Sequence, residues 1–185
     1  KKEVTMLWAN MNDNVAVKAI SDVAYYAAAG PEISNHPTNQ TTPDALKKAD
    51  FLAMPYTPVA PTQNGINVEF KHTMSKINLT IELGSEYEFT EDDVDKKITD
   101  VKIDGSKVKA NYFINSSTVN PQFRFYNQSG DPTPISPLRT GTTPYSKTNG
   151  VITKASATYE AILIPQDIAS GKFTVSFKVE GKLYE

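Results

Sequence analysis

The stretch Ile66–Leu83, INVEFKHTMSKINLTIEL, decides the fold class. Ile66, Val68, Phe70, His72 and Met74 fall on one face, and Asn67, Glu69, Lys71 and Thr73 on the other. That is the period of two of a strand with one buried face. The pattern resumes as Ile77, Leu79, Ile81 and Leu83, now in the odd register. A one-residue slip would turn every apolar side chain to solvent. The sequence therefore predicts an extra residue near Ser75-Lys76, either a β-bulge in one long bent strand or a break between two strands. In both cases the stretch is expected to be the spine of a sheet, with His72 on its buried face.

Upstream, Gly30–Gly65 holds six of the twelve prolines. Proline removes a ladder donor and fixes φ, so most of this stretch reads as loop or linker and as the most plausible domain boundary. Within it, Asp44–Lys48 suits a short helix with Thr42 as N-cap and Pro43 at the first helical position. Phe51–Met54 suits an edge strand. Further upstream, Glu3–Trp8 and Asn14–Ile20 form an expected hairpin across the turn-rich Asn10–Asp13. Ala24–Ala29 is a short element that fits a strand end better than a helix. The expected division is a partial N-terminal β domain with linker over 1–62 and a β-sandwich over 63–185.

Downstream, Thr90–Lys97 has acids followed by lysines, which predicts one short helix. Ile98–Ile103 and Lys107–Ile114 are expected to pair as a hairpin through Asp104-Gly105, with Val108, Ala110, Tyr112 and Ile114 inward. Asn115–Gly150 is loop-like, with a strand at Phe123–Tyr126 and room for hidden edge strands. Val151–Lys154 is one such strand. Thr158–Ile164 is a strand ended by Pro165. Lys172–Val179 alternates with Phe173, Val175, Phe177 and Val179 inward, and Glu180-Gly181 turns the chain into Lys182–Tyr184. Short strands with scraps of helix predict an all-β fold, an antiparallel β-sandwich with one or two short helices.

Composition excludes several classes of function. The chain has 185 residues, a net charge of -2 and no cysteine. It carries no basic footprint for nucleic acid, and it can form no disulfide, thiolate metal site or cysteine nucleophile. No apolar run approaches the ~18 residues of a membrane span. Both ends read as strands already under way, which leaves room for a leader or lipid anchor on a precursor.

Chemistry-bearing constellations are sparse. His72, between Phe70 and Met74, is expected to be a hydrogen-bonded core histidine; His36, in a Pro/Asn loop, is expected to be solvated. Glu91, Asp92, Asp93 and Asp95 lack the spacing of a calcium loop and read as helix N-terminal acids. There is no G-x-S-x-G elbow and no G-x-G-x-x-G phosphate loop. Four N-x-S/T triplets begin at Asn39, Asn78, Asn115 and Asn127, a number near chance in so polar a chain. Tyr56, Phe123, Phe125, Tyr126 and Tyr145 could form an aromatic sugar platform, but Phe123 and Phe125 fit a core strand better.

Several stretches together resemble the fimbrillin (Mfa-like) family of Bacteroidetes surface proteins. Trp8–Val17 is similar to its first motif, a Trp followed by Asp (here Asp13) and an aliphatic strand, with Asn12 where the family has Gly. Asp50–Ala53 resembles its pre-linker segment. Val68–Ile77 is similar to its Phe-x-His motif followed by Lys and an aliphatic, here Phe70, His72 and Lys76. Ile98–Gly105 looks like its next strand and turn. Ala161–Gln166 resembles the aliphatic-Pro-Gln motif at Pro165 and Gln166, and Gly181–Tyr184 its G-x-x-Tyr. The family's final strands lie beyond that last motif, so the resemblance implies a sandwich short of its final strand.

The resemblance implies a pilus subunit or pilus-associated lipoprotein, with transthyretin-like sandwiches, no catalysis, no cofactor and no metal. It implies a place in the fimbrium or at the outer membrane, facing outward, with a lipid anchor on the precursor. Partners would be other pilus subunits, joined by adding a strand to an unpaired sheet edge. The alternative is a surface module that binds a glycan or a host protein.

Overall fold

The computed structural model describes residues 11–21, 32–84, 97–114, 123–148 and 151–185. In chain order the elements are β1 (Val15–Ile20), β2 (Glu32–Ile33), α1 (Pro43–Ala49), β3 (Leu52–Val59), β4 (Lys71–His72) and β5 (Ser75–Leu83). There follow β6 (Ile98–Asp104), β7 (Lys109–Ile114), β8 (Phe123–Ser129), β9 (Leu138–Thr148), β10 (Val151–Leu163), β11 (Thr174–Val179) and β12 (Lys182–Tyr184). Among the described residues the strands form four three-stranded sheets, ordered β1-β3-β4, β5-β10-β9, β12-β11-β6 and β2-β7-β8. All their ladders are antiparallel. The all-β sandwich expected from the sequence is present.

β10 is the longest strand among the described residues. It runs against β5 without interruption from Ala155↔Leu83 to Leu163↔Ser75. On its other side it meets β9, where the register shifts at three places. This sheet packs on β12-β11-β6. Ile81, Leu83, Ala155, Ala157 and Tyr159 meet Ile98, Val101 and Val179 in one core. Ile103, Ile135, Ala161 and Leu163 extend it. Each fully buried aliphatic or aromatic side chain contributes about 1.5–3 kcal/mol of transfer free energy. A second core lies between β1-β3-β4 and β2-β7-β8. It is built from Ile33, Phe51, Ala53, Ala110, Tyr112 and Ile164, residues from both sides of position 62.

The spine stretch breaks as two strands. β4 joins β3 through Leu52↔His72 and Ala53↔Lys71, while β5 joins β10. Thr73 and Met74 lie between them, and Thr73 is tied to the Phe51 carbonyl through its backbone N–H (3.3 Å) and its hydroxyl. The change of sheet absorbs the parity flip. Its odd half keeps the expected inward face, with Ile81 and Leu83 buried. Its even half does not: residues 66–70 form no strand, and Val68 and Phe70 are exposed. β3 carries Pro55 and Pro58, which have no amide proton to give to a ladder.

Other expectations change in the same way. Phe51–Met54 is no edge: β3 extends to Val59, and Ala53 pairs with Ile20 on one side and Lys71 on the other. Its prolines coincide with a register shift against β1, between Val17 and Ala19. The Asp104-Gly105 turn exists but closes no hairpin. β6 pairs with β11 and β7 pairs with β2 and β8, so the turn carries the chain from one core to the other. Gly105 has φ +93°, and a Cβ there would lie 2.0 Å from the Lys172 carbonyl oxygen. Phe173, expected inward, is exposed and precedes β11.

Elsewhere the local rules hold. α1 starts at Pro43, and the Thr42 hydroxyl accepts from the Ala45 N–H at 3.2 Å. Ala110 and Tyr112 point inward with Val108. The hidden strand of the second loop region is β9, and Val151–Lys154 belongs to β10. Glu180 and Gly181, at φ +49° and +82°, turn β11 into β12, the positive-φ pair of a type I′ hairpin. Glu3–Trp8, Ala24–Ala29 and the helix expected at Thr90–Lys97 fall outside the described residues, save Lys97.

Candidate assembly site

The two histidines exchange roles. His72 is exposed, and its Nδ1 meets Asp50 Oδ2 at 2.6 Å. Among the described residues β4 is a sheet edge, and both its residues are exposed, so alternation alone cannot bury the imidazole. His36 is buried. Its backbone N–H donates to Val108 O (2.7 Å), and its ring Nε2 lies 2.7 Å from Ile162 O. A carbonyl only accepts, so Nε2 carries the proton and the ring is the neutral Nε2–H tautomer. Burial pushes the His36 pKa down, partly offset by that carbonyl. Nδ1 is left buried with no partner.

Gln40 completes this clamp. Its Oε1 accepts from Ile162 N–H (2.8 Å), and its Nε2 donates to Ile162 O (2.7 Å) and Pro37 O (2.9 Å). A side-chain amide thus satisfies the backbone of β10 where a neighbouring strand would. The same segment pairs with residue 136 through Gln40 N–H to Ser136 O, 2.9 Å, and Ser136 N–H to Thr38 O, 2.8 Å. Nothing periodic marks His36 or Gln40, because the segment holding them is irregular and is shaped by Pro37 and Pro43.

Gln166 works likewise. Its Oε1 accepts from Lys107 N–H at 2.9 Å, and its Nε2 lies 3.0–3.1 Å from Lys107 O, Ser106 Oγ and Ile164 O. It fastens the turn after Gly105 to the end of β10. Pro165 O accepts from Gln128 Nε2 at 3.2 Å. Lys76 pairs with Glu160 across β5 and β10 at 2.8 Å. Asp13 is exposed in the turn before β1. Trp8 and the Glu91–Asp95 cluster lie outside the described residues. The structure therefore does not gather all of the motif residues into one site: His72 and Lys76 line one hollow, Pro165 and Gln166 tie the end of β10 to Gln128 and Lys107, and Asp13 and Phe70 are exposed.

A hollow of about 330 Å³ lies beside His72, lined by Leu46, Lys47, Asp50, Met74, Lys76 and Ile162. It offers no hydroxyl for the His72–Asp50 pair to activate, and its floor is apolar. Among the described residues no three of His, Asp and Glu come close enough to hold a metal, and no helix is long and apolar enough to cross a membrane. Phe123 and Phe125 pack on Phe51, with ring centroids 5.6 and 6.3 Å away. They belong to the second core. Tyr126 is exposed, and the side chains of Tyr56 and Tyr145 are outside the described residues.

What remains is a set of sheet edges. β5 offers the longest regular one: nine residues in unbroken register with β10 on one side, and no strand beside it on the other among the described residues. Its outward side chains are polar, Lys76, Asn78, Thr80 and Glu82. β9 is longer but irregular, and β12 has three residues. An unpaired edge is a row of amides and carbonyls that can accept an extended chain.

The sequence profile of the fimbrillin-like family matches residues 1–185, the whole chain. The chain belongs to the fimbrillin-like family. That membership points to a surface-exposed pilus component that associates with other pilus subunits. It agrees with the all-β fold of antiparallel sheets described above. No curated protein and no solved structure matches this fimbrillin-like chain.

Proposed function

We propose that this chain is a structural or adhesive subunit of a bacterial surface pilus, and that protomers join by β-strand addition at the outer edge of β5. One observation carries the choice of edge. β5 alone combines length, unbroken register and a side without a strand among the described residues. A donor strand there would gain main-chain hydrogen bonds along nine residues, and its alternate side chains would reach the core beside Ile81 and Leu83. The reading places the protein outside the cell, in a fimbrium held at the outer membrane through a lipid anchor on the precursor.

Amide hydrogen exchange tests it. In the monomer, alternate amides of Ser75–Leu83 exchange fast because they face solvent; in assembled fibres all of them become protected. Fibres in which these amides still exchange at the monomer rate would reject β5 as the acceptor. Failure of the purified chain to enter any fibre, even with other subunits of the same pilus, would reject the subunit reading.

A further inference from the structure

Residues 66–70 have the pattern of a strand and no ladder. Val68 and Phe70 are 41% and 43% exposed on the face that the alternation marks for burial. Extending the β3–β4 register would set Glu69 against Pro55 and Ile66 against Pro58. Proline has no amide proton to give, so the β3 side lacks a donor at these two positions. The opposite edge, along 66–72, is free of any strand among the described residues.

We propose that this edge pairs with the same edge of a second copy of the chain, antiparallel about a two-fold axis through Phe70. The pairing would join two β1-β3-β4 sheets into one. A two-fold axis normal to a sheet keeps every side chain on its own face, so opposed residue numbers sum to an even number. Three registers centre on Val68, Glu69 or Phe70, the residues that span the two exposed apolar side chains. Centring on Glu69 sets two glutamates opposite each other. Centring on Val68 sets Asn67 against Glu69 and leaves Lys71 against Gly65. Centring on Phe70 sets Glu69 against Lys71 twice on one face. On the other face it gathers the Phe70 pair, with Val68 against His72 on either side. Unlike charges directly opposite stabilise a strand pair and like charges oppose it. The occupant favoured by charge is therefore a second copy in the Phe70-centred register. This edge is separate from that of β5, so the inference stands or falls independently of strand addition there.

The chain has no cysteine, which makes the test direct. Opposed residues of an antiparallel pair have Cα atoms about 4.5–5.5 Å apart, within disulfide reach. Phe70→Cys should therefore cross-link into a dimer under mild oxidation. Val68→Cys should not, since four positions of offset separate it from its mate by about 14 Å. Adding Glu69→Lys to Phe70→Cys should slow cross-linking roughly tenfold, as two favourable pairs become two repulsive ones. Adding Lys71→Glu as well should restore it. Sedimentation of the unmodified chain should show a concentration-dependent dimer. A monomer at every concentration overturns the proposal, as would an edge covered by another part of the same chain. Equal cross-linking at positions 68 and 70, or no effect of Glu69→Lys, also overturns it.

Discussion

Residues 75–83 pair with β10 at nine consecutive positions and bury Ile81 and Leu83; residues 66–72 pair with β3 at two positions and leave Val68 and Phe70 in solvent. Both stretches alternate equally well. The difference lies in the partner. β10 has no proline through its thirteen residues, whereas β3 has Pro55 and Pro58. Alternation decides which side chains share a face. Which strand lies beside the face, and how many amide protons it offers there, bears on whether the face is closed.

The largest effect that can break this comparison is truncation within the core. Ile81→Ala should cost about 2–5 kcal/mol, the loss for a large aliphatic leaving a cavity. Val68→Ala should cost less than about 0.5 kcal/mol in the monomer. Urea unfolding of both variants measures the contrast, and equal losses would mean that residues 66–70 are packed after all. Next comes the turn between the two cores. Gly105→Ala should cost about 1–3 kcal/mol, because a positive φ and a 2.0 Å approach to the Lys172 carbonyl both resist a Cβ. A neutral Gly105→Ala would show that the two strand systems move apart freely at this point.

Much of this fold is legible in the chain. The capped helix at Pro43–Ala49, the inward face of β7, the end of β10 at Leu163 just before Pro165 and the final hairpin all follow from local chemistry, and each is close to expectation. What local chemistry cannot supply is the choice of partner. Asp104-Gly105 has the residues of a hairpin turn, yet the strands on either side enter different sheets. The turn is specified by a few residues, the pairing by contacts far along the chain, such as Ile103 with Ile135 and Lys107 with Gln166. The candidate assembly edge is legible only in part. Its inward residues are plain in the alternation, but that β5 is an edge depends on the order of strands. The His36–Gln40 clamp has no sequence signal, since it replaces a strand with two side chains.

The two histidines give smaller and sharper tests. Burial holds the His36 pKa below its usual 6.5, so the unfolded chain takes up this proton more readily than the folded one. Stability is therefore full above pH 6.5 and falls as the pH drops from there towards the lowered folded value. The slope is about 1.4 kcal/mol per pH unit within that window. Protonation would put a second N–H at Nδ1, which is buried without an acceptor. His36→Gln can still donate towards the Ile162 carbonyl but cannot titrate, and should lose the slope. Urea midpoints between pH 7.5 and 5 read this directly. A slope unchanged in His36→Gln would assign the proton elsewhere.

His72 is the smallest effect and closes the contrast. Its imidazole is paired with Asp50 at 2.6 Å, but its side chain is 79% exposed. Exposed polar pairs contribute about 0–1 kcal/mol, since water competes for both partners. His72→Ala should therefore lower stability by less than about 1 kcal/mol at pH 7. The variant should keep the acid slope that His36→Gln abolishes. A loss of several kcal/mol would mean that β4 holds the second core together through this one contact. The backbone argues otherwise: Leu52↔His72, Ala53↔Lys71 and the Thr73–Phe51 bonds are made without the imidazole. The His72 side chain can thus be exchanged while the strand stays in place, its outer edge unpaired among the described residues.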